Sequence, residues 1–147
     1  MTGLFLPQGI LDAMIAQAEA GVPHPVCGLL AGLERIVHEI HEVNHVDSSG
    51  EHFLGLLEED GPVATRIRVA GLEHLAVYQS RPTAPAQPLP EEILLTFPPN
   101  VVYLILSLEE PLRPTLRGFL IYESSILEVP IQVFNEQEYD PAQDYSI

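Results

Sequence analysis

The sequence contains no lysine. Its basic residues are all arginines (Arg35, Arg66, Arg68, Arg81, Arg113 and Arg117), set against 21 acidic residues for a formal net charge of −15. A surface of that sign repels phosphate backbones and anionic lipid, which excludes nucleic acid and membranes as natural partners. The one cysteine, Cys27, excludes an internal disulfide. No apolar run approaches the length needed to cross a bilayer. The opening residues, 1–10, lack the basic start and small-residue cleavage site of a secretory signal. These absences lead to the expectation of a cytoplasmic protein. The acids are scattered rather than gathered in one block. That favours a salt-rich cytoplasm, where excess carboxylates keep a protein in solution, over a single acidic face built for a basic partner.

What is present fits one compact domain. The chain has 147 residues, and the apolar fraction of 46% comes in runs that a core can use. After Leu6-Pro7, residues 8–20 place Ile10, Leu11, Met14, Ile15 and Ala18 at spacings of three and four, which predicts a helix ended by Gly21 and Pro23. Residues 27–33 and 35–43 read as a strand hairpin, with polar turn material at 44–51 and a short strand at Phe53-Leu54. Pro62 opens a second helix that runs to Ala70 before Gly71. Residues 72–78 read as a strand, and 79–90 as a loop broken by Pro82, Pro85, Pro88 and Pro90. A turn or two of helix at 91–96 precedes strands at 101–108, 116–122 and 126–134. The expected fold is α/β (α+β): a mixed sheet of about six strands flanked by two main helices. Residues 1–134 would form the domain and 135–147 a loose acidic tail.

Several segments, in order, resemble bacterial JAMM/MPN domains, the zinc isopeptidase family. They are the Pro-x-x-x-Cys-Gly-Leu-Leu-Ala-Gly stretch from Pro23, the Asn44 turn, Phe53-Leu54, the run from Ala76 to Ala86, the strand from Val101 to Leu108, and the strands between Arg113 and Val133. The resemblance spans roughly residues 6–134. It implies a His-x-His-Pro element at a strand end and an Asp eleven residues on, which together hold zinc with one position left for water. It further implies a Glu that takes the proton from that water and a Ser that steadies the oxyanion. The implied reaction is hydrolysis of an amide or isopeptide bond beside the tail of a ubiquitin-like protein.

Residue by residue, those positions are substituted. The two histidine positions hold Gln79 and Arg81, the aspartate position holds Glu92, the oxyanion serine is Leu89, and the general base is Pro25. A guanidinium is permanently charged and cannot ligate a metal. The expectation is therefore a site without zinc, in which Arg81 occupies the metal's space and pairs with Glu92 or Glu91. The bland alternative is a solvated loop arginine.

Other candidates carry less. His38, His41 and His45 would share a face on a helix, but the segment reads as a strand, where residues three apart point to opposite faces, and His24 and His52 have no carboxylate spacing to support them. Cys27 lies in an apolar strand with no paired histidine and reads as a buried small hydrophobe. Ser80 has no base beside it, and the acids 58–60 read as the solvated approach to a helix. The leading reading is a catalytically inactive JAMM/MPN-like domain that binds a protein partner, first a ubiquitin-like or sulfur-carrier tail, with a homodimer open to such a scaffold. Gln79, Ser80, Arg81 and Glu92 would form its binding residues. Two other readings stand: a zinc-dependent peptidase with ligands from Glu92 and His24 or His52, and a small-anion site anchored by Arg81 in a pocket beside Pro25 and Gln79.

Overall fold

A computed structural model of the chain describes residues 3–43, 61–94 and 97–135. The expectations for the Asn44 turn, Phe53-Leu54, His45, His52, the acids 58–60 and the tail after residue 135 lie outside the described residues. The elements are β1 (Leu4–Pro7), α1 (Gln8–Gly21), β2 (Cys27–Leu33), β3 (Ile36–Val43), α2 (Pro62–Val69), β4 (Glu73–Arg81), α3 (Pro90–Ile93), β5 (Val102–Ser107), β6 (Thr115–Tyr122), β7 (Ser125–Val129) and β8 (Ile131–Phe134). The strands form one mixed sheet in the order β7-β6-β5-β4-β2-β3-β1-β8.

The sheet holds eight strands where about six were expected, and the two additions have local causes. Residues 4–7 are too short and too uniformly apolar to show a period, yet they run parallel beside β3 and β8. The run 126–134, expected as one strand, is cut at Pro130. Proline has no N–H to continue a ladder, so the chain leaves β6 after Val129 and pairs with β1 from Ile131. β7 and β8 are thus consecutive in sequence but lie at opposite ends of the strand order. The sheet must curl for those ends to come together at Pro130, although β7 and β8 are not paired with one another. Gly118 on β6 allows the approach: a Cβ there would stand 2.7 Å from the Ile131 side chain.

Inside the curl lies one core. Met14 and Ala18 of α1 are buried against Leu6, Leu30, Ala76, Tyr78 and Leu104, with Ile10, Leu11 and Ile15 partly buried beside them. These helix residues are the stripe predicted from spacing. On the other face, α2 packs Ile67 against a second core built from Cys27, Leu29, Val77, Tyr103, Ile105 and Phe119. β4, the longest strand, lies between antiparallel β2 and parallel β5. Its C-terminal end carries the residues the family resemblance singled out.

Two tight contacts fix how β2 lies on its neighbours. A Cβ at Gly28 would stand 2.5 Å from the main-chain carbonyl of His41 and would also meet the Tyr78 ring. The Tyr78 hydroxyl itself donates to Gln17 Oε1 at 2.5 Å, and Gln17 Nε2 donates to the carbonyls of Cys27 (3.1 Å) and Val43 (3.2 Å), tying α1 to β2 and β3. Because one obstacle is backbone and the other a fully packed ring, Gly28→Ala should destabilise the fold by about 1–3 kcal/mol. Denaturant unfolding of the variant against the parent measures it; an unchanged midpoint would mean that β2 can move away from β3 without cost.

Candidate functional site

Strand periodicity builds the site. Side chains two apart on β4 share a face, so Gln79 and Arg81 point together toward the α2 side while Ser80 points the other way. Gln79 is paired across the sheet with Cys27 on β2 and Ile105 on β5, and Arg81 with Ser107. The expected loop at 79–90 therefore begins later, since β4 continues through Arg81. Beyond it, the proline-rich segment returns to α3, where Pro90 starts a short turn and Glu92 sits at its third position.

Gln79, Arg81 and Glu92 are all buried, at 4%, 6% and 5% exposure. Arg81 Nη2 donates to Glu92 Oε1 in a close ion pair, and Nη1 donates to Gln79 Oε1 at 2.6 Å. Glu92 Oε1 also accepts the main-chain N–H of Leu89 at 2.7 Å, so the same carboxylate closes the start of α3. Glu91, the other acid considered, is exposed. A fourth member was missed in the sequence. The Tyr103 hydroxyl of β5 donates to Glu92 Oε2, lies 2.9 Å from Gln79 Oε1, and accepts from Arg81 Nη2 at 3.3 Å. Its ring is stacked on Phe97, centroids 5.2 Å apart, which holds the hydroxyl over the strand end. Tyr103 reads as one more core aromatic in an apolar run; only its diagonal position to Gln79 across β4 and β5 could have pointed to it.

The electrostatics follow from burial. Burial works against the Arg81 charge, but Tyr103 and Glu92 outweigh it, and the guanidinium holds its proton more firmly than an ordinary arginine. Burial raises the Tyr103 hydroxyl well above the usual tyrosine range, so it remains a protonated donor. Arg81 Nε is buried with no hydrogen-bond partner. The guanidinium is thus anchored by its two terminal nitrogens, and the carboxylate receives three donors: Arg81, Leu89 and Tyr103.

The remaining candidates do not join this cluster. Ser80 is buried on the opposite face, where its Oγ accepts the N–H of Val26 at 2.8 Å. It ties the approach to β2 and is not part of a binding group with Gln79, Arg81 and Glu92, as strand alternation dictates. Pro25 is half-buried just before this tie and supplies no ionisable group, and the Leu89 side chain is exposed. His24 and His38 are exposed, and His41 pairs with Glu39 at 3.2 Å. Cys27 is fully buried, and burial pushes its thiol up to about 12.

This donor set does not fit a zinc ion. Arg81 offers no lone pair and brings a positive charge to the centre of the set, while both Glu92 oxygens are already engaged. Among the described residues, no three His, Cys, Asp or Glu side chains lie together in a way that could hold a metal. An anionic ligand would have to displace Glu92 from Arg81, and the buried side chains leave Arg81 no open approach. What the arrangement does chemically is clasp: it joins the end of β4 to α3 across the proline-rich segment.

A buried pair broken on one side is costly because the remaining charge is left without a partner, while removing both sides is often neutral. Arg81→Met should therefore lower stability by about 3–5 kcal/mol, and Arg81→Met/Glu92→Leu should recover most of that loss. Chemical denaturation of both variants measures the difference, and equal losses in the two would show that no ion pair operates. At Cys27, the native thiol should resist iodoacetamide at pH 8.5 and react once unfolded. Its folded pKa lies above the ordinary value, so its contribution is intact below pH 9 and declines as pH rises from about 9 toward about 12. Rapid alkylation of the folded chain would contradict this.

Compared with known proteins, the chain matches no protein-family model. It is 24% identical over 135 residues to the CysO-cysteine peptidase of Mycobacterium tuberculosis, covering 90% of this chain and 92% of that one. It shares its fold with a protein from Desulfitobacterium hafniense solved in solution: TM-score 0.76, 30% identity, 92% of this chain and 95% of that one. The JAB1/MPN domain protein AF2198 of Archaeoglobus fulgidus superposes with a TM-score of 0.59 at 16% identity, over 90% of this chain and all of that one. From its end-to-end likeness to these proteins, the chain has a JAMM/MPN-like fold.

Proposed function

We propose that this chain is a non-catalytic JAMM/MPN-like domain that works as a protein-binding or scaffold module, with no zinc at the strand-end site. The observation that carries the reading is the buried Arg81–Glu92 pair, closed by Gln79 and Tyr103. An amide hydrolase of this architecture needs a Lewis acid and a base for water. Here the site's centre is a guanidinium, Pro25 has no proton to exchange, and Leu89 directs its main-chain N–H to Glu92 rather than to a substrate oxyanion. The substitutions are concerted: a side chain that cannot bind metal is accompanied by a complete set of partners for its charge.

A partner class follows from the relation to a protein named for the CysO-cysteine conjugate. A ubiquitin-like sulfur-carrier protein, offering an extended C-terminal tail, is the first candidate. Main-chain pairing and shape would carry such an interaction, since the charged groups of the old site are engaged with one another.

The first test is the zinc content of the purified, untagged chain, with Gln79→His/Arg81→His as comparison. The parent should hold far less than one zinc per chain after exposure to excess metal and desalting, and the double variant should hold more. Zinc near one per chain in the parent would overturn the reading. Titration of the parent with a sulfur-carrier protein bearing its free tail should give a saturable complex and no cleavage of a carrier–cysteine conjugate. Turnover of that conjugate would likewise contradict it.

A further inference from the structure

A second feature opens beside the clasp. Past the end of β5 the chain turns through Glu110-Pro111-Leu112-Arg113, closed by the Arg113 N–H donating to the Glu110 carbonyl at 2.8 Å. Proline at the second position presets such a turn, and Pro114 restricts Arg113 from the other side before β6 begins at Thr115. Between this turn and the proline-rich segment lies a cavity of about 290 Å³, walled by Pro85, Ala86 and Ser107, with Glu109, Glu110 and Arg113 at the turn. Ser107 lies opposite Arg81 in the β4–β5 ladder, so the cavity neighbours the clasp, but it uses none of the four clasp side chains.

The walls are tied in place. Ser107 Oγ donates to the Ala84 carbonyl at 2.6 Å and accepts the Glu109 N–H at 3.1 Å, joining β5 to the proline-rich segment and to the turn. Arg117, also in the lining, donates from Nη1 to the Ala86 carbonyl at 3.3 Å, while its Nε and Nη2 hold the two oxygens of Glu128. That arginine is committed to the scaffold. Glu109, Glu110 and Arg113 differ. All three are exposed, and among the described residues none of their side chains forms an ion pair. A cation and two anions thus face one hollow without pairing with each other. A pure anion entering there meets two carboxylates on a chain of net charge −15, and a pure cation meets two guanidinium groups. A molecule that carries both charges a few bonds apart, and no net charge, can set each end on its opposite.

We infer that this cavity binds a free α-amino acid with a short uncharged side chain, its carboxylate at Arg113, its ammonium at Glu109 and Glu110, and its side chain against Pro85 and Ala86. Planar two-pronged pairing with a carboxylate is what a guanidinium does best. The volume lies close to the lower end of the roughly 300–1,000 Å³ usual for small-molecule pockets, which suits a ligand of that size. The backbone of the turn is set in advance by its prolines, which lowers the ordering cost of binding.

The test uses the full chain, isotope-labelled, with L-valine, 3-methylbutanoate and 2-methylpropylamine as probes. The second lacks valine's ammonium and the third its carboxylate. Valine at millimolar concentration should give saturable shifts of the Ala86, Glu110, Arg113 and Thr115 amide signals. Each single-charge analogue should bind at least about tenfold more weakly, as loss of a charge-assisted hydrogen bond requires. Arg113→Gln should weaken valine by about the same factor and leave the amine no weaker, and Glu109→Gln/Glu110→Gln should weaken valine and leave the carboxylate no weaker. These positions are exposed, so the variants should keep the parent's thermal midpoint, and the analogue comparison on the parent needs no variant at all. The inference is overturned if these signals do not move, if either analogue matches valine, or if either variant binds valine as the parent does. None of these readouts depends on zinc or on the Arg81 pair, so failure here leaves the proposed function standing and the reverse also holds.

Discussion

One buried charge organises this end of the molecule. Arg81 cannot lose its proton, and at 6% exposure it cannot reach water either. The structure must therefore surround it with acceptors, and it does: Glu92 from α3, Gln79 from the same strand and the Tyr103 oxygen from β5. Each partner is in turn held by something else. Glu92 is fixed by the Leu89 N–H, Tyr103 by stacking on Phe97, and Gln79 by its place in the middle of the sheet. A metal ion in such a fold draws ligands together by coordination; here a guanidinium draws the same elements together by hydrogen bonds.

The rest of the fold supplies the rigidity this arrangement needs. The β7–β8 passage at Pro130 curls the sheet around α1, and β4 runs between β2 and β5 with both edges paired. Its end is therefore well placed to hold a side chain in a fixed position. Ser80 strengthens that end from the other face by receiving the Val26 N–H, and the Leu108 N–H donates to the Arg81 carbonyl at 2.9 Å. Scaffold and clasp depend on one another, because the buried pair is tolerable only where its partners cannot drift.

Much of this was legible in the sequence, and the parts that were not have identifiable reasons. The α1 stripe and the β2–β3 hairpin could be read from period and spacing, and the resemblance to JAMM/MPN domains pointed to positions 79, 81 and 92. Gln79 and Arg81 share a face, with Ser80 on the other, because β4 continues through Arg81; a loop beginning at residue 79 carries no such alternation, which is why Ser80 was grouped with them. Tyr103 was hidden because an apolar strand with a tyrosine looks the same whether the hydroxyl serves a buried charge or not; its role depends on which strand lies alongside. β1 was hidden by its shortness, and the split at Pro130 by an apolar run continuous on both sides of the proline.

Fold and chemistry are separable here. The fold is JAMM/MPN-like, while the end of β4 carries a buried guanidinium paired with a carboxylate. The most direct measurement is thermal unfolding of the purified chain, untreated, with a strong chelator, and with added zinc. If Arg81 does the work of holding this end together, the three curves will coincide. A midpoint lowered by the chelator, or raised by zinc in a saturable way, would show that a metal contributes to the native state and would contradict the account.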